Sequence, residues 1–168
     1  MAFPVPKDVR TTRDFELILG GEEALRQSMQ LFDPAADVDV GEWMKPVTSG
    51  GVTKASKLIT AVDTQAAPAK GAKASWTRYR QNDLSNGQTD AIATGTVDLL
   101  SGTYQAKTKL YVVGGGVAPG NLLVAIFDSG QGVLSGVDPA AVTVAQLQAA
   151  VGRVIEVAAG VLHYESPA

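Results

Sequence analysis

Side chains that could perform acid–base, nucleophilic or metal chemistry are few in this chain. His163 is the only histidine, there is no cysteine, and no serine stands in a recognisable nucleophile pattern. One imidazole without a patterned nucleophile does not indicate a catalytic triad, and without thiols or further histidines it does not build a His-rich metal site. His163 lies between apolar residues near the C-terminus, so we expect a structural or surface position for it.

Paired carboxylates can also serve as general acid and base. Asp37 and Asp39 are close in sequence, as are Asp83 and Asp90. Each pair lies near turn or hairpin signals, where acidic side chains usually hydrogen-bond the turn backbone. The Asp37-Val38-Asp39 sequence lacks the other ligands of a calcium-binding loop. We therefore predict no catalytic residue, no metal site and no cofactor, and a protein that is not an enzyme.

The glycine-rich residues 114–120 raise two alternatives, a phosphate-binding loop and a membrane span. A dinucleotide-binding fingerprint places G-x-G-x-x-G between a strand and a helix, but here Pro119 occupies the sixth position and strand-like residues follow. The uncharged residues 110–127 have about the length of a minimal span, but glycines, a proline and an asparagine lie in their middle. The sequence favours neither a nucleotide site nor a membrane partner.

Composition and charge narrow the fold class and the partners. Only 18% of the residues are charged, 45% are hydrophobic and 18 are glycine, which suits a turn-rich β protein better than a helical bundle. The net charge of −3 argues against nucleic acid as a partner. Residues 76–80 interleave aromatics with arginines, but in an acidic chain we interpret them as a structural strand. The N-terminus lacks the apolar core of a signal peptide, so we expect synthesis and folding in the cytoplasm.

Residues 104–134 carry the strongest structural pattern, which predicts three strands and two turns. Apolar and polar residues alternate at period two from Tyr104 to Val113, as in a half-buried strand. Glycines 114–116 and Pro119-Gly120 then indicate turns, and residues 122–127 form an apolar run of buried-strand length. We expect the rest of the chain to be built around this segment.

Other segments predict further hairpins and loops. Residues 41–56 predict a hairpin that turns at Ser49-Gly50-Gly51, and residues 63–74 predict an exposed loop of low complexity. Asn86-Gly87 is a turn signal, and residues 92–100 are rich in strand-forming residues.

The N-terminal residues 1–40 predict an arm that contains an amphipathic helix. Prolines favour an extended conformation for residues 1–13, whereas Leu25, Met29 and Phe32 recur at helical spacing within residues 14–32. Two placements are open for this helix: packing on its own barrel, or packing on a neighbouring subunit. Residues 41–168 are then the β-barrel or β-sandwich domain.

The C-terminal residues predict a short helix followed by two closing strands. Asp138 and Pro139 suit a helix start, and Thr143 with Gln146 fits a capping box. Strands are expected at residues 153–157 and 161–165 around a glycine turn. The predicted fold class is mainly β: a small β-barrel or β-sandwich with an N-terminal arm or helix and one short helix in the C-terminal half.

A series of short motifs follows in order through residues 90–165. They are Ser101-Gly102-Thr103-Tyr104-Gln105-Ala106-Lys107-Thr108, Gly120-Asn121-Leu122-Leu123, Gly132-Val133-Leu134, Val151-Gly152-Arg153-Val154-Ile155 and Gly160-Val161-Leu162. This order resembles small head proteins of tailed bacteriophages, in which a polar segment ending in threonine leads to a Gly-x-Leu-Leu strand. A Gly-x-Leu return, a Val-Gly-x-Val strand and a final glycine hairpin follow in those proteins, which decorate or cement the outside of the capsid.

The resemblance implies a virion structural protein on the capsid exterior, made in the host cytoplasm. Its expected partners are the major capsid protein and further copies of itself, as a dimer or trimer, with no nucleic acid and no membrane. A cement protein bridges neighbouring capsomers and binds only the assembled, expanded shell, so it stabilises that state by mass action.

Two other function classes stay open at the level of sequence. A carbohydrate- or receptor-binding β module of a phage or cell surface would need Trp43, Trp76, Tyr79 and Tyr104 to line one exposed groove. A small trimeric β enzyme, such as a nucleotide hydrolase with its site between subunits, would need serine- and tyrosine-containing motifs that the chain does not show.

Overall fold

The computed structural model describes residues 11–12, 15–19, 25–33, 37–76 and 95–166. Predictions that concern residues 1–10, residues 77–80, Asp83, the Asn86-Gly87 turn and Asp90 therefore lie outside the described residues. The strands of the described part are β1 (Thr11–Thr12), β2 (Phe15–Leu19), β3 (Leu25–Gln30), β4 (Trp43–Ser49), β5 (Val52–Lys57), β6 (Lys73–Ala74), β7 (Thr96–Ser101), β8 (Tyr104–Thr108), β9 (Leu122–Asp128), β10 (Gln131–Val137), β11 (Ala150–Ala158) and β12 (Val161–Ser166). Helix α1 (Val144–Gln148) follows a 3₁₀ turn at Pro139–Ala141. The predicted mainly β fold is confirmed.

A strongly curled antiparallel sheet forms the larger part of the molecule. Its strand order is β1-β2-β8-β12-β11-β9-β10. Directly after β8, the chain bonds to β10: Leu134 N donates to Leu110 O at 3.0 Å, and Val112 N donates to Leu134 O at 2.8 Å. Because β10 ends the strand order on the far side from β8, these bonds bring the two sides together and give the sheet a barrel-like shape.

The remaining strands form a second, smaller ring. β3 pairs with β7, and β4 pairs with both β5 and β6. Leu31, next after β3, forms a bridge with Ala55 of β5, and Ser75, next after β6, forms a bridge with Leu99 of β7. These two single-residue bridges close the order β3-β7-β6-β4-β5 into a ring.

One hydrophobic core joins the curled sheet to the ring. The sheet contributes alternate inward residues such as Tyr104, Leu123 and Tyr164, and the ring side contributes Trp43 and Leu100. A smaller cluster fills the ring itself, consisting of Leu31, Val38, Met44, Ala55, Val97, Leu99 and Met29. Both layers thus bury apolar side chains in a common core, and such burial is the main favourable contribution to folding.

The predicted amphipathic helix within residues 14–32 is wrong. The structure has β2 and β3 there, paired with β8 and β7 respectively. A helix through Gly20-Gly21 would lose about 1 kcal/mol per glycine relative to alanine. These residues instead follow the period-two pattern of a strand: Met29 and Leu31 both contact the ring cluster, whereas Phe32 is 50% exposed. Neither placement proposed for the helix applies, and the boundary after residue 40 stays a prediction.

The predicted exposed loop at residues 63–74 is also partly wrong. Asp63, Ala69, Ala72 and Ala74 are all buried. Ala69 N donates to Ala125 O at 3.0 Å, which ties the segment to β9. Small side chains made the segment look featureless in sequence, but they are what allows it to lie against the core.

Other local predictions are confirmed, with one adjustment. The hairpin at residues 41–56 is β4–β5, and β11–β12 are the closing strands. Thr143 and Gln146 form the capping box of α1. The strand that begins at Tyr104 ends at Thr108, earlier than the alternation suggested, because Thr108 Oγ1 accepts a hydrogen bond from Leu110 N at 2.9 Å and the chain then crosses to β10.

Candidate functional site

The most buried ion pair of the described residues serves the fold. Asp63 is 3% exposed, and its two carboxylate oxygens lie 3.0 and 2.7 Å from Lys45 Nζ. The same carboxylate accepts a hydrogen bond from Ile59 N at 2.6 Å. With three charge-assisted contacts, Asp63 closes the turn after β5 and is not presented to a ligand.

The Asp37 and Asp39 pair is likewise engaged with neighbouring structure. The backbone carbonyl oxygen of Asp37 accepts a hydrogen bond from Lys57 Nζ at 2.7 Å. The side-chain Oδ2 of Asp39 accepts one from Gln131 Nε2 at 2.6 Å. The fully buried Glu42 accepts from Asp39 N at 3.0 Å, and its Oε1 lies 2.9 Å from Lys57 Nζ without hydrogen-bond alignment. This network joins the approach to β4 with β5 and β10.

His163 lies on the outer face of the curled sheet. It is half-buried, and its Nε2 is 3.3 Å from Gln105 Oε1. Its cross-strand neighbours are Lys107 on β8 and Glu156 on β11. No serine hydroxyl is bonded to the imidazole in the described contacts, so the geometry agrees with a structural or surface residue.

The aromatic residues considered for sugar binding are in the core. Trp43, Trp76 and Tyr104 are each at most 3% exposed, and Tyr79 lies outside the described residues. The Tyr164 ring centroid is 6.2 Å from that of Trp43 and 6.1 Å from that of Tyr104 in tilted and edge-on arrangements. Burial raises the pKa of Tyr104 to about 12 and the pKa of Tyr164 well above its ordinary value. Trp43 and Tyr104 border a cavity of about 230 Å³, but each is at most 2% exposed, so neither offers an open ring face to a sugar.

Cavities among the described residues include three that could receive a ligand. One of about 230 Å³ lies beside Trp43, Lys73 and Gln148, and one of about 380 Å³ lies beside Arg153 and Glu165. The third, of about 180 Å³, lies in the ring and has Leu31, Met44, Ala55 and Leu58 as its apolar lining, with Asp33, Lys57 and Ile59 around it. Thr103 and Ser166 also line the cavity beside Arg153 and Glu165, and Ser166 Oγ donates a hydrogen bond to Val151 O at 3.1 Å.

The described ranges contain neither a group of metal-binding side chains nor a helix that could span a membrane. Within those ranges no three His, Cys, Asp or Glu residues are grouped so that they could hold a metal ion. Over the same ranges, no helix has the length and apolar character required to cross a membrane.

The exposed apolar side chains form the clearest surface features. We call the first group the ring patch: Phe32, Ile59 and Val62, which are 50–55% exposed. Ile59 lines the ring cavity, and backbone hydrogen bonds join Phe32 to Ala55 of its lining and Val62 to Ile59. We call the second group the loop end: residues 110–121 and 157–161, with Val113 at 83% and Val157 at 38% exposure. Sequence reasoning noted the uncharged stretch in the first of these segments but could not show that the two meet, because that depends on strand pairing.

Comparison with known proteins gave no relative. No protein-family model, no curated protein and no solved structure matches the chain.

Proposed function

We propose that this is a virion structural protein, a decoration or cement protein that binds the outer surface of an assembled phage head and bridges neighbouring capsomers. The observation that carries the proposal is that one hydrogen-bonded β scaffold presents two separate exposed apolar surfaces. Exposed apolar patches commonly mark protein interaction sites. A bridging protein needs at least two of them, far enough apart to reach different partners.

The separation of the two surfaces follows from β9. Its first residue, Leu122, adjoins the loop end, whereas Phe127 N donates to Asp63 O at 2.9 Å, beside Val62 of the ring patch. Five residues of strand span about 17 Å at about 3.3 Å per residue. Contacts at the two surfaces therefore involve different parts of a partner or different partners.

The ring patch has the form expected of a docking site for an apolar side chain. Its cavity of about 180 Å³ is lined by Leu31, Met44 and Ala55, all buried. Lys57 and Asp33 lie beside it, so the cavity combines an apolar lining with a charged margin. We assign this patch to the major capsid protein.

Such binding stabilises the shell through mass action. A protein that binds the expanded shell and not its precursor shifts the equilibrium toward the expanded state by its differential affinity. Each contact can be weak, because many copies act together on one lattice. The proposed location is the capsid exterior after synthesis in the host cytoplasm, with no role for nucleic acid, a membrane or an enzymatic step.

The test is co-sedimentation with expanded empty phage heads that lack this protein. Wild-type protein is expected to sediment with expanded heads and not with unexpanded ones. The double variant I59D/V62D is expected to lose most binding, because it places charge on the ring patch. V52D is the matched control, because Val52 is 51% exposed on the β4–β5 hairpin, away from that patch. Equal binding of wild type and I59D/V62D would reject the assigned surface, and no binding of wild type would reject the function.

A further inference from the structure

A cavity of about 230 Å³ lies where the ring meets the curled sheet. Its ring side includes Trp43 of β4 and Lys73 of β6, two strands that pair with each other. Its sheet side includes Tyr104, Val151 and Ser166. Ser166 pairs with Tyr104, and its Oγ donates a hydrogen bond to Val151 O at 3.1 Å. The walls of the cavity are therefore fixed by strand pairing in both layers.

The charge around this cavity is positive. Among the described residues that line it, Lys73 is charged and none is Asp or Glu. Lys73 Nζ donates to Gln27 Oε1 at 3.0 Å, which uses one of its three N–H donors. Gln148, another lining residue, accepts a hydrogen bond from Lys70 Nζ at 3.1 Å, so a second ammonium group lies next to the lining. In a chain with a net charge of −3, these two cations favour an anionic ligand at this site.

The buried part of the same lining is mainly apolar. Its residues are each at most 8% exposed: Ala72, Leu100, Tyr104, Ala149 and Val151. The lining residues nearer to solvent are polar, since Lys73, Ser101 and Gln148 are all partly or largely exposed. Small-molecule sites commonly combine an apolar wall with a few polar groups that fix the orientation of the ligand. A ligand that matches this site has a charged head toward solvent and an apolar tail toward the core.

We propose that this cavity binds a small carboxylate with a short apolar tail. The carboxylate accepts a hydrogen bond from Lys73 Nζ, and the tail lies against the apolar lining. A carboxylate only accepts hydrogen bonds, which matches an ammonium group that only donates them, and such charge-assisted bonds are the stronger kind. At about 30 Å³ for each water-sized group, the cavity has room for about eight non-hydrogen atoms, the size of hexanoate. The inference does not rest on the proposed function, because neither the ring patch nor the loop end takes part.

The test is a titration of hexanoate into ¹⁵N-labelled wild-type protein, followed by NMR. Hexanoate is expected to shift, to saturation, the amide signals of residues 71–73, 101–104 and 148–151, which line the cavity. Two further probes separate the contributions of charge and tail. Hexanol has the same tail without the charge, and inorganic phosphate has charge without a tail. Each is expected to bind at least about tenfold more weakly than hexanoate.

Lys73→Gln removes the cation of the lining and is expected to raise the dissociation constant for hexanoate about tenfold. Lys54→Gln is the matched control, because Lys54 is likewise partly exposed but lies on β5, outside the lining. Far-UV circular dichroism verifies the fold of both variants. Three outcomes would overturn the inference: no shift of the lining signals in wild type, equal affinity for hexanoate and either of the other probes, or an equal loss of affinity in Lys54→Gln and Lys73→Gln.

Discussion

At the scale of single residues, Asp63 shows how a buried charge is used for structure. Its carboxylate accepts hydrogen bonds from Lys45 Nζ and Ile59 N, and its backbone carbonyl oxygen accepts one from Phe127 N. One residue thus joins β4, the turn after β5 and β9. In sequence it begins a stretch of small residues without pattern, so its burial could not be predicted.

Replacing Asp63 tests this role. Asp63→Ala is expected to lower the free energy of unfolding by about 3–5 kcal/mol, because it leaves Lys45 without its partner in a mostly buried site. Urea denaturation followed by circular dichroism measures the loss. The exposed Asp128 is the control, and Asp128→Ala should change the value by no more than about 0.5 kcal/mol. Similar small effects for both variants would show that the ion pair does not hold the turn.

The burial of the Tyr104 phenol predicts that the protein loses stability at alkaline pH. Burial raises its pKa to about 12, whereas a tyrosine in the unfolded chain has a pKa of about 10. The folded state therefore favours the neutral phenol, and this contribution is complete below about pH 10 and is lost as the pH rises toward 12. At pH 11.5 we expect a loss of about 2 kcal/mol relative to pH 8, with a shallower pH dependence in Tyr104→Phe.

Absorbance at 295 nm provides the check, since it reports tyrosinate formation. Subtracting the Tyr104→Phe titration from the wild-type titration isolates Tyr104. Its ionisation should have a midpoint near pH 12 where circular dichroism shows that the protein is still folded. Ionisation of Tyr104 near pH 10 in a fully folded protein would contradict the burial that the structure assigns to this phenol.

At the scale of elements, close backbone contacts decide where strands can cross. Gly132 on β10 lies against the carbonyl oxygen of Trp43 on β4, and a Cβ at this position would overlap that oxygen. A side chain would rotate away from such an overlap, but a backbone carbonyl within a strand cannot. The absence of a side chain at Gly132 is what lets the ring lie on the curled sheet.

Gly132→Ala is therefore expected to cost at least about 3 kcal/mol of unfolding free energy. Gly130, two residues earlier in the same hairpin, has φ +86° and open space where a Cβ would lie, so Gly130→Ala should cost only about 1 kcal/mol of backbone strain. Urea denaturation of the two variants side by side gives the comparison. A smaller cost at Gly132 than at Gly130 would mean that β4 can shift away from β10.

Elements with local signals were predictable from sequence, and elements decided by distant pairing were not. The capping box of Thr143 and Gln146 is a contact over three residues, so its pattern alone predicts α1. In residues 14–32 the helical spacing of Leu25, Met29 and Phe32 competes with pairing to strands about seventy residues away, such as Gln27 with Leu99. Such pairing leaves no local trace. The same reason hid the loop end, whose two segments are brought together only by the pairing of β8, β11 and β12.

At the scale of the whole molecule, the shared core indicates that the ring and the curled sheet unfold together. The chain has two tryptophans, Trp43 and Trp76, and both belong to that core. Tryptophan fluorescence therefore reports on the contact between the layers, while far-UV circular dichroism reports on the strands of both. We expect the two signals to change together in one transition.

Phe15 tests whether the N-terminal residues belong to this unit. It is 1% exposed, pairs with Thr108 and lies against Gly41, where a Cβ would meet its ring. Phe15→Ala is expected to lower the unfolding free energy by about 3–5 kcal/mol in a single transition seen by both signals. Ile18 on the same strand is 38% exposed, and Ile18→Ala should cost much less. If Phe15→Ala left the transition unchanged, residues 1–40 would act as an arm independent of the domain at 41–168, and a contact surface for partners would have to be sought there as well.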